Sequence, residues 1–564
     1  MWTTRFIMSI LRFGIAAVLL LFVDSSDSGQ QYNSTTVAKY PFKYTNPIVP
    51  GNWSDPGVIR VGSDYYSVCS TNHWQPGVPI INSKDLINWR YIGHVFASRP
   101  EFQEGITRGG VWGLEMGYNP HTKMYLVYIP LVNHELYVYY ALRPEGPYEF
   151  KYLGRLGIDP GFFADTDGRL YLVMHNGEIH ELERDGLSIK RLVIKIDTSR
   201  YRFFEGPDIF KHNGWYYCLY SDGGTRPHQP GTVSVLRSRR IEGPWQEDPG
   251  NPVLFATDDG SPIQGPAHGT LIQTQNDQWF VTFHAHELSH YSLGRSMSME
   301  PIEWTDDGWW RPKYGKAPTL GGKAPNLPAC NYVLARSDEF DTQQLGLQWF
   351  FHCTPPKEGS GWSLTEREGW LRILPCKGKP IEKVVLPAVF LQRMLDKRFR
   401  LMTHINFDAS RSGQAAGLCM YHDPGMNFWL TTTFENGKKV FEVGKTNDGN
   451  RTSLWTVENK IGSDVHLCIE VDGKETATFY YGSDGKQWLR LGESIYFGDS
   501  WKDLRNGHGG DPDLGWVGVS KRNIWSAATF GIFAVCASEQ DQIPADFDYV
   551  RVETQKELTK SFID

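Results

Sequence analysis

Polar turn residues alternate with short aromatic-rich runs along the first half of the chain. A turn followed by a run of Tyr, Trp, Phe and Leu recurs five times, at Gly62–Tyr66, His121–Leu126, Asp167–Leu172, Asn213–Tyr217 and Asn276–Val281. Each copy has the pattern of a hairpin turn that enters a β-strand. The copies are spaced by about 45 to 63 residues, which is close to the length of a propeller blade. The pattern predicts a five-bladed β-propeller, which we place at residues 29–322.

A second repeated element supports this architecture. It joins small or charged residues to an aromatic residue, at Ser83–Trp89, Arg143–Tyr148 and Arg240–Trp245. These segments have the form of connections to the outer strand of a blade. After a Gly/Pro-rich linker at 323–330, residues 331–558 alternate in short apolar runs that predict an antiparallel β-sandwich. No long stretch has helical periodicity, so the predicted fold class is all-β.

The N-terminus has the pattern of a secretory signal peptide. Arg5 and Arg12 precede the apolar run Phe13–Val23, which is followed by polar residues. That run is shorter than the roughly 20 residues that a membrane-spanning helix needs. We therefore predict a signal peptide at 1–28, a protein exported to the periplasm or secreted, and no membrane span.

Charge and cysteine content exclude some functions. The 564 residues carry a net charge of −7, which argues against a nucleic-acid partner, because such a partner needs a concentrated basic face. None of the eight cysteines forms a CxxC pair, so a thiolate zinc site is not expected. Most lie in apolar runs and are predicted to be buried free thiols. The high aromatic content, 14%, fits either strands or surfaces that stack on sugar rings.

The repeat also locates a candidate site. The innermost strand of each blade lies one hairpin before the recurring turn and lines the central channel. The residues at that offset are Asp55, Trp112, Asp159, Glu205 and His268. Three are carboxylates in apolar, Gly- or Pro-flanked surroundings, where carboxylates are rarely buried without a reason. Such a set suits glycosidic cleavage, which needs a general acid and a base or nucleophile.

At these residues the sequence resembles glycoside hydrolase family 43, over essentially the whole mature chain. The resemblance implies that Asp55 in Ser54-Asp55-Pro56 is the general base and Glu205 in Glu205-Gly206-Pro207 the general acid. It implies that Asp159 in Ile158-Asp159-Pro160 tunes the pKa of the acid and orients it, and that the reaction inverts the anomeric centre. As a neighbouring anion, Asp159 is expected to raise that pKa. Gly294-Arg295 resembles the family's substrate-binding arginine block. The sandwich resembles the concanavalin-like accessory domain of its xylosidase and arabinofuranosidase branches.

Other positions are substrate-binding candidates with structural alternatives. Trp112 either walls the subsite or fills the channel, and the family's usual Ala-Pro is replaced here by Gly113-Leu114. Arg295 either holds sugar hydroxyls or forms an internal salt bridge. His268 resembles a central histidine that adjoins calcium or ordered water in some relatives, so a structural calcium is an expectation. No cofactor is required. Phe350, Phe351 and His352 are expected to pack in the core.

Two other functions compete with the glycosidase hypothesis. His286-Glu287-Leu288-Ser289-His290 fits the letters of HExxH, which binds zinc only on a helix, and the flanking sequence reads as a strand. A non-catalytic lectin-like propeller would not need the carboxylate triad. The sequence therefore favours an exo-acting α-L-arabinofuranosidase over a β-xylosidase as the main activity. The expected substrate is plant cell-wall hemicellulose, as arabinoxylan or xyloglucan side chains.

Overall fold

The computed structural model describes residues 43–558 except 73, 98–109, 132–133, 224–229, 257–259, 353–354, 378–388, 424–425, 448–449 and 499–526. The predicted signal peptide lies outside the described residues. No helix in the described part of the chain combines the length and hydropathy needed to cross a bilayer. Nearly all described secondary structure is β, as predicted from the missing helical periodicity.

Residues 57–312 form five antiparallel sheets of four strands, with one extra strand in the fourth sheet. We number them blades 1 to 5 in chain order. The strands of blade 1 are Gly57–Val61, Asp64–Val68, Gly77–Ser83 and Trp89–Phe96. Those of blade 2 are Glu115–Tyr118, Tyr125–Pro130, Glu135–Ala141 and Glu149–Arg155. Those of blade 3 are Gly161–Ala164, Leu170–Val173, Glu178–Leu182 and Ile189–Lys195.

Blades 4 and 5 repeat the arrangement with longer strands. The strands of blade 4 are Glu205–His212, Trp215–Gly223, Gly231–Ser238, Gln246–Glu247 and Leu254–Ala256. Those of blade 5 are Ile263–Gln273, Trp279–Glu287, Ser296–Trp304 and Trp310–Pro312. The first strand of each blade contacts the first strands of both neighbours, and blade 5 contacts blade 1. The five sheets therefore close into a ring around these inner strands.

Both repeats predicted from the sequence take their expected places. The recurring turn joins the first and second strands of every blade, because Val61, Tyr118, Ala164, His212 and Gln273 each end a first strand just before it. The second repeat joins the third and fourth strands of blades 1, 2 and 4. A strand at Lys43–Thr45 pairs with Gly321–Lys323 beside blade 5.

The C-terminal part is a sandwich of two sheets. One contains Trp362–Ser363, Leu371–Ile373, Arg398–Asn406, Asp464–Asp472, Thr476–Gly482, Leu489–Arg490, Ile495–Tyr496 and Ala545–Thr554. The other contains Cys376–Lys377, Val389–Arg393, Ala415–Asp423, Met426–Glu435, Lys438–Asn447, Asn450–Glu458 and Thr529–Cys536. Short helical turns lie at Tyr291–Leu293, Glu539–Asp541 and Gln555–Leu558.

One contact between the two domains lies beside blade 1. Phe351–His352 pairs with Trp74–Gln75, and the Trp74 and Phe350 rings meet edge to face. Phe350, Phe351 and His352 are all buried, as expected from the sequence. The HExxH letters do not form a helix: His286 and Glu287 end a blade 5 strand, so the zinc-binding geometry of that motif is not present.

The cysteines agree with the prediction of free thiols. Among the cysteines whose side chains the structure describes, Cys69, Cys218, Cys330, Cys419 and Cys468 are free thiols, and all of these except Cys330 are buried. Burial raises the pKa of Cys218 and Cys419, which makes these thiols poor nucleophiles.

Candidate active site

The starts of the five inner strands converge on one cleft with about 280 Å³ of empty space. Every blade contributes to its lining, through Asp55, Pro56, Gly113, Leu114, Glu115, Asp159, Pro160, Gly206, Pro207, Asp208, His268 and Thr270. Three of the five residues that the repeat singled out, Asp55, Asp159 and His268, line this cleft. The other two, Trp112 and Glu205, directly precede the lining residues Gly113 and Gly206.

A shared backbone feature places these side chains. One residue of this layer in each blade has a positive φ: Asp55 (52°), Gly113 (58°), Asp159 (49°), Gly206 (51°) and His268 (51°). The first four lie at or just before the start of the inner strand, and His268 lies in the middle of it. For a residue with a side chain this left-handed conformation is uncommon and is concentrated at functional sites. In blades 2 and 4 a glycine takes this position, and the candidate residue, Trp112 or Glu205, precedes it.

Asp55 is buried and held on both carboxylate oxygens. Its Oδ1 accepts a hydrogen bond from Nη1 of Arg295 at 2.7 Å, and its Oδ2 accepts one from Oγ of Ser70 at 2.5 Å. Its backbone N–H donates to Nδ1 of His284 at 3.1 Å. Arg295 is 4% exposed, so this is a buried ion pair and not a surface one.

These contacts keep Asp55 ionised. Burial by itself raises the pKa of Asp55, but Arg295, His268 and His284 oppose it, and the net pKa lies well below the usual range. An adjacent cation favours the charged form of a carboxyl group. Asp55 is therefore a carboxylate throughout the neutral range.

His268 bridges two of the carboxylates. Its Nδ1 lies 3.8 Å from Oδ1 of Asp55 and its Nε2 lies 3.8 Å from Oδ2 of Asp159. Its backbone N–H donates to Oγ of Ser221 at 2.8 Å, which fixes the bulged strand that carries it. His268 thus belongs to the carboxylate cluster itself.

The pKa values of Glu205 and Asp159 are raised, whereas that of Asp55 is lowered. Burial, and next the charge of Asp55, raise the pKa of Glu205 to about 7, although Arg295 acts against them. Burial also raises the pKa of Asp159 to about 7, with Glu205 and Asp55 adding to it against His268. Oε2 of Glu205 is buried without a hydrogen-bond partner among the described residues. Near neutral pH the two carboxyl groups therefore retain protons that Asp55 has lost.

The source of the Glu205 shift differs from the sequence interpretation. That interpretation assigned the raised pKa to Asp159, whereas burial and Asp55 contribute most. Asp159 instead contacts the backbone beside the acid, because its Oδ2 accepts the N–H of Gly206 at 3.1 Å. This contact suits the predicted orienting role of Asp159.

Close packing ties blade 2 to the same cluster. A Cβ on Gly113 would lie 2.0 Å from Oδ1 of Asp159, so only glycine fits there. The N–H of Gly113 donates to Oγ of Ser70 at 2.8 Å, and Ser70 also binds Asp55. Trp112 directly precedes this glycine and is half-buried.

Sequence reasoning missed Ser70 and His284. Ser70 follows the second strand of blade 1, and His284 lies in the second strand of blade 5. Neither occupies the inner strand that the repeat identified. His284 had a signal in the sequence, as a histidine two residues before the HExxH letters, but its partner could be seen only after folding.

The expected structural calcium has no protein-ligand cluster in the described part of the chain, where no group of three or more His, Cys, Asp or Glu is arranged to hold a metal. The described His, Cys, Asp and Glu side chains therefore do not fit a metal ion that several side chains hold.

The propeller and sandwich both match known sequence families. The model described as glycosyl hydrolases family 43 matches residues 44–310, and the β-xylosidase C-terminal concanavalin A-like domain matches residues 337–553. The chain belongs to glycoside hydrolase family 43. This confirms the resemblance stated from the motifs, and it makes the protein a glycosidase with a concanavalin-like second domain.

Curated relatives share this family. The chain is 29% identical over 556 residues to a β-xylosidase of Bacillus subtilis, which covers 90% of this chain and 99% of the relative. It is 29% identical over 425 residues to the non-reducing end α-L-arabinofuranosidase BoGH43B of Bacteroides ovatus, which covers 72% of this chain and 78% of the relative.

A solved structure repeats the two-domain architecture. The family 43 protein BlXynB of Bacillus licheniformis superposes with a TM-score of 0.79 at 28% identity, over 90% of this chain and 99% of that one. The sandwich is thus placed on the propeller in a way that a known relative shares.

Proposed function

We propose that this protein is an inverting, exo-acting glycosidase that releases single terminal pentosyl residues from plant hemicellulose. The observation that carries the proposal is the division of charge in one cleft. Asp55 has a depressed pKa beside Arg295, while the pKa of Glu205 is raised to about 7. A base and an acid separated in this way are what hydrolysis of a glycosidic bond requires.

The reaction follows from these protonation states. Asp55 accepts a proton from a water molecule as the water oxygen bonds to the anomeric carbon. Glu205 donates its proton to the glycosidic oxygen as the bond from that oxygen to the anomeric carbon breaks. Attack opposite the leaving group inverts the anomeric centre. Solvent then removes the proton from Asp55 and returns one to Glu205.

Release of single terminal residues is supported by the Bacteroides ovatus relative, which is a non-reducing end α-L-arabinofuranosidase. Arg295 and His268 approach Asp55 from blade 5, where their N–H groups suit the hydroxyls of a bound sugar. We assign both residues to substrate binding as well as to the electrostatics of the base.

We propose β-D-xylosides as the principal substrates and α-L-arabinofuranosides as the second candidate. The order differs from the sequence expectation, because the Bacillus subtilis relative matched over 90% of this chain is a β-xylosidase. The Bacteroides ovatus relative keeps the arabinofuranosidase in consideration. Arabinoxylan and xyloglucan side chains are the natural substrates we propose, reached by an exported enzyme.

The first test compares nitrophenyl β-D-xyloside and α-L-arabinofuranoside with xylobiose, for the wild type, Asp55→Asn and Glu205→Gln. We expect Asp55→Asn to lose about 10²–10⁴-fold in kcat on all substrates, because no other group takes the proton of water. Glu205→Gln should lose as much on xylobiose but less on the nitrophenyl glycosides, whose leaving groups need no proton.

Two outcomes would contradict the proposal. Near-normal hydrolysis of xylobiose by either variant would exclude that residue from its role. Sugar binding without turnover by the wild type would favour the lectin-like alternative. Thermal unfolding of each variant, measured alongside, separates loss of chemistry from loss of fold.

A further inference from the structure

The segment that delivers Arg295 to the cleft first inserts into the second domain. It leaves blade 5 at Glu287, forms the short helical turn Tyr291–Leu293 and returns to the blade at Ser296. Tyr291 and Leu293 are buried in the hydrophobic core of the sandwich, together with residues of both of its sheets. The propeller therefore contributes this turn to a core that is not its own.

Polar contacts hold the middle of the turn. The N–H of Ser292 donates to Oε1 of Glu475 at 2.9 Å, and the carbonyl of Ser292 accepts the N–H of Ala528 at 2.8 Å. Glu475 is 4% exposed and lies in the sandwich, between two of its strands. A hydrogen bond from a buried amide to a carboxylate is among the stronger ones in proteins.

The letters that resemble HExxH belong to the same contact. The carboxylate of Glu287 pairs with Lys397 of the sandwich, and Nε2 of His290 lies 2.9 Å from the carbonyl oxygen of Gly473. Glu287 and His290 of this motif therefore bind the neighbouring domain.

The turn connects to the catalytic carboxylate in three steps. The carbonyl of Leu293 accepts the N–H of Asn52 at 2.7 Å, and Oδ1 of Asn52 accepts the N–H of Arg295 at 3.2 Å. Nη1 of Arg295 then donates to Oδ1 of Asp55 at 2.7 Å. The segment is tightly wedged, because a Cβ on Gly294 would lie 2.6 Å from Oδ1 of Asn52.

We infer that Glu475 of the sandwich is a positioning residue, which holds the Tyr291–Leu293 turn so that Arg295 stays in contact with Asp55. The inference rests on the proposed function, in which Asp55 is the base. Glu475 does not touch the cleft. It acts through Ser292, and its loss leaves a buried N–H unsatisfied next to the residue that orients the arginine.

A displacement of Arg295 from Asp55 should shift the acidic limb of the pH profile, which is the range where activity falls as the pH is lowered. The groups that face Asp55 are Arg295, His268 and His284 from blade 5, with Glu205 from blade 4 and Asp159 from blade 3. Among these, Arg295 contributes most to lowering the pKa of Asp55. If Arg295 moves away, the pKa of Asp55 rises, and activity is lost at a higher pH as the solution is acidified.

The experiment measures kcat/KM against pH on nitrophenyl β-D-xyloside for Glu475→Ala and Glu475→Gln. We expect Glu475→Ala to lower kcat/KM about ten- to a hundredfold and to move the acidic limb upward, as a displacement of about 1 Å in the site would. Glu475→Gln should stay within about fivefold of the wild type, because its amide oxygen still accepts the N–H of Ser292.

Glu442→Ala is the matched control. Glu442 is a sandwich glutamate that is 1% exposed and pairs with Arg451, and among the described residues none of its bonds reaches the propeller. Its loss should lower the melting temperature without moving the acidic limb. If Glu475→Ala does not fold, Glu475→Asp, which keeps the charge but shortens the side chain, should show a smaller upward shift.

An acidic limb unchanged in Glu475→Ala, or moved equally by Glu442→Ala, would overturn the inference. If only Glu475→Asp folds, an unchanged limb in that variant would do the same. Failure of the proposed function is distinguishable, because then Asp55→Asn itself would keep its turnover.

Discussion

At the scale of single residues, the neighbouring groups give three similar carboxyl groups different pKa values. All three are buried, which by itself raises a carboxyl pKa. Only Asp55 has an arginine on its carboxylate, so its pKa falls while those of Asp159 and Glu205 rise to about 7. The proposed roles of base and acid thus follow from one ion pair.

The pH profile should show this division. Glu205 is protonated below its pKa of about 7, so kcat/KM should fall as the pH rises through about 7, while the acidic limb lies far lower. In Asp159→Asn the basic limb should stay close to its wild-type pH, because burial and Asp55 contribute most to the raised pKa of Glu205. A basic limb that moves down by about 1 pH unit in this variant would show instead that the charge of Asp159 tunes the acid.

Gly113→Ala tests the close approach of blade 2. The new Cβ would lie 2.0 Å from Oδ1 of Asp159, so we expect the carboxylate to shift and kcat to fall about 100-fold. Gly62→Ala is the control: Gly62 also has a positive φ, of 65°, but no atom lies within 4 Å of its Cβ position. An equal loss of kcat in both variants would show that backbone strain alone is responsible.

At the scale of elements, the inner strands place carboxylates both at the cleft and on its wall. Glu115 begins the inner strand of blade 2, Asp208 lies within the inner strand of blade 4, and both are buried. Burial raises the pKa of Glu115 well above its ordinary value, with Asp208 adding to it, and raises the pKa of Asp208 to about 7. The folded protein therefore keeps protons that the unfolded chain releases.

This retention of protons makes stability depend on pH. An unfolded Asp loses its proton near pH 4, so the stability that Asp208 contributes is lost as the pH rises from about 4 to 7. Asp208→Asn should leave the melting temperature unchanged near pH 4 and raise it near pH 8, by about 1 °C for each kcal/mol recovered in a chain of this length. Exposed Asp306→Asn is the control, and a gain in Asp208→Asn that is equal at both pH values would contradict the account.

At the scale of the whole molecule, the two domains share a core. Tyr291 and Leu293 of the propeller lie among buried sandwich residues such as Phe428 and Phe530. Trp74 of blade 1 packs against Phe350 in the same way. Because each domain buries apolar residues of the other, neither core is complete alone.

The protein should therefore unfold as one unit. Calorimetry of the wild type should give a single transition, and Leu293→Ala should lower it as a whole, by an amount equivalent to about 2–5 kcal/mol. Two transitions, of which the substitution moves only one, would show that the domains unfold independently.

The local sequence pattern was sufficient to predict the ring of blades. Alternating aromatic strands and polar turns depend on contacts within one hairpin, so the recurring turns at Gly62 and Asn213 could be located without the fold. The family motifs at Asp55, Asp159 and Glu205 were readable for the same reason, since each lies one hairpin before such a turn.

Only the tertiary structure determined what surrounds those residues. Arg295 pairs with Asp55 across 240 positions of the chain, and Ser292 binds Glu475 across 183. No local pattern encodes such partners, because they depend on ring closure and on the docking of the sandwich. Thus the sequence by itself determined the blades and the carboxylates, whereas burial and long-range ion pairing decided which carboxyl group stays ionised and is proposed as the base.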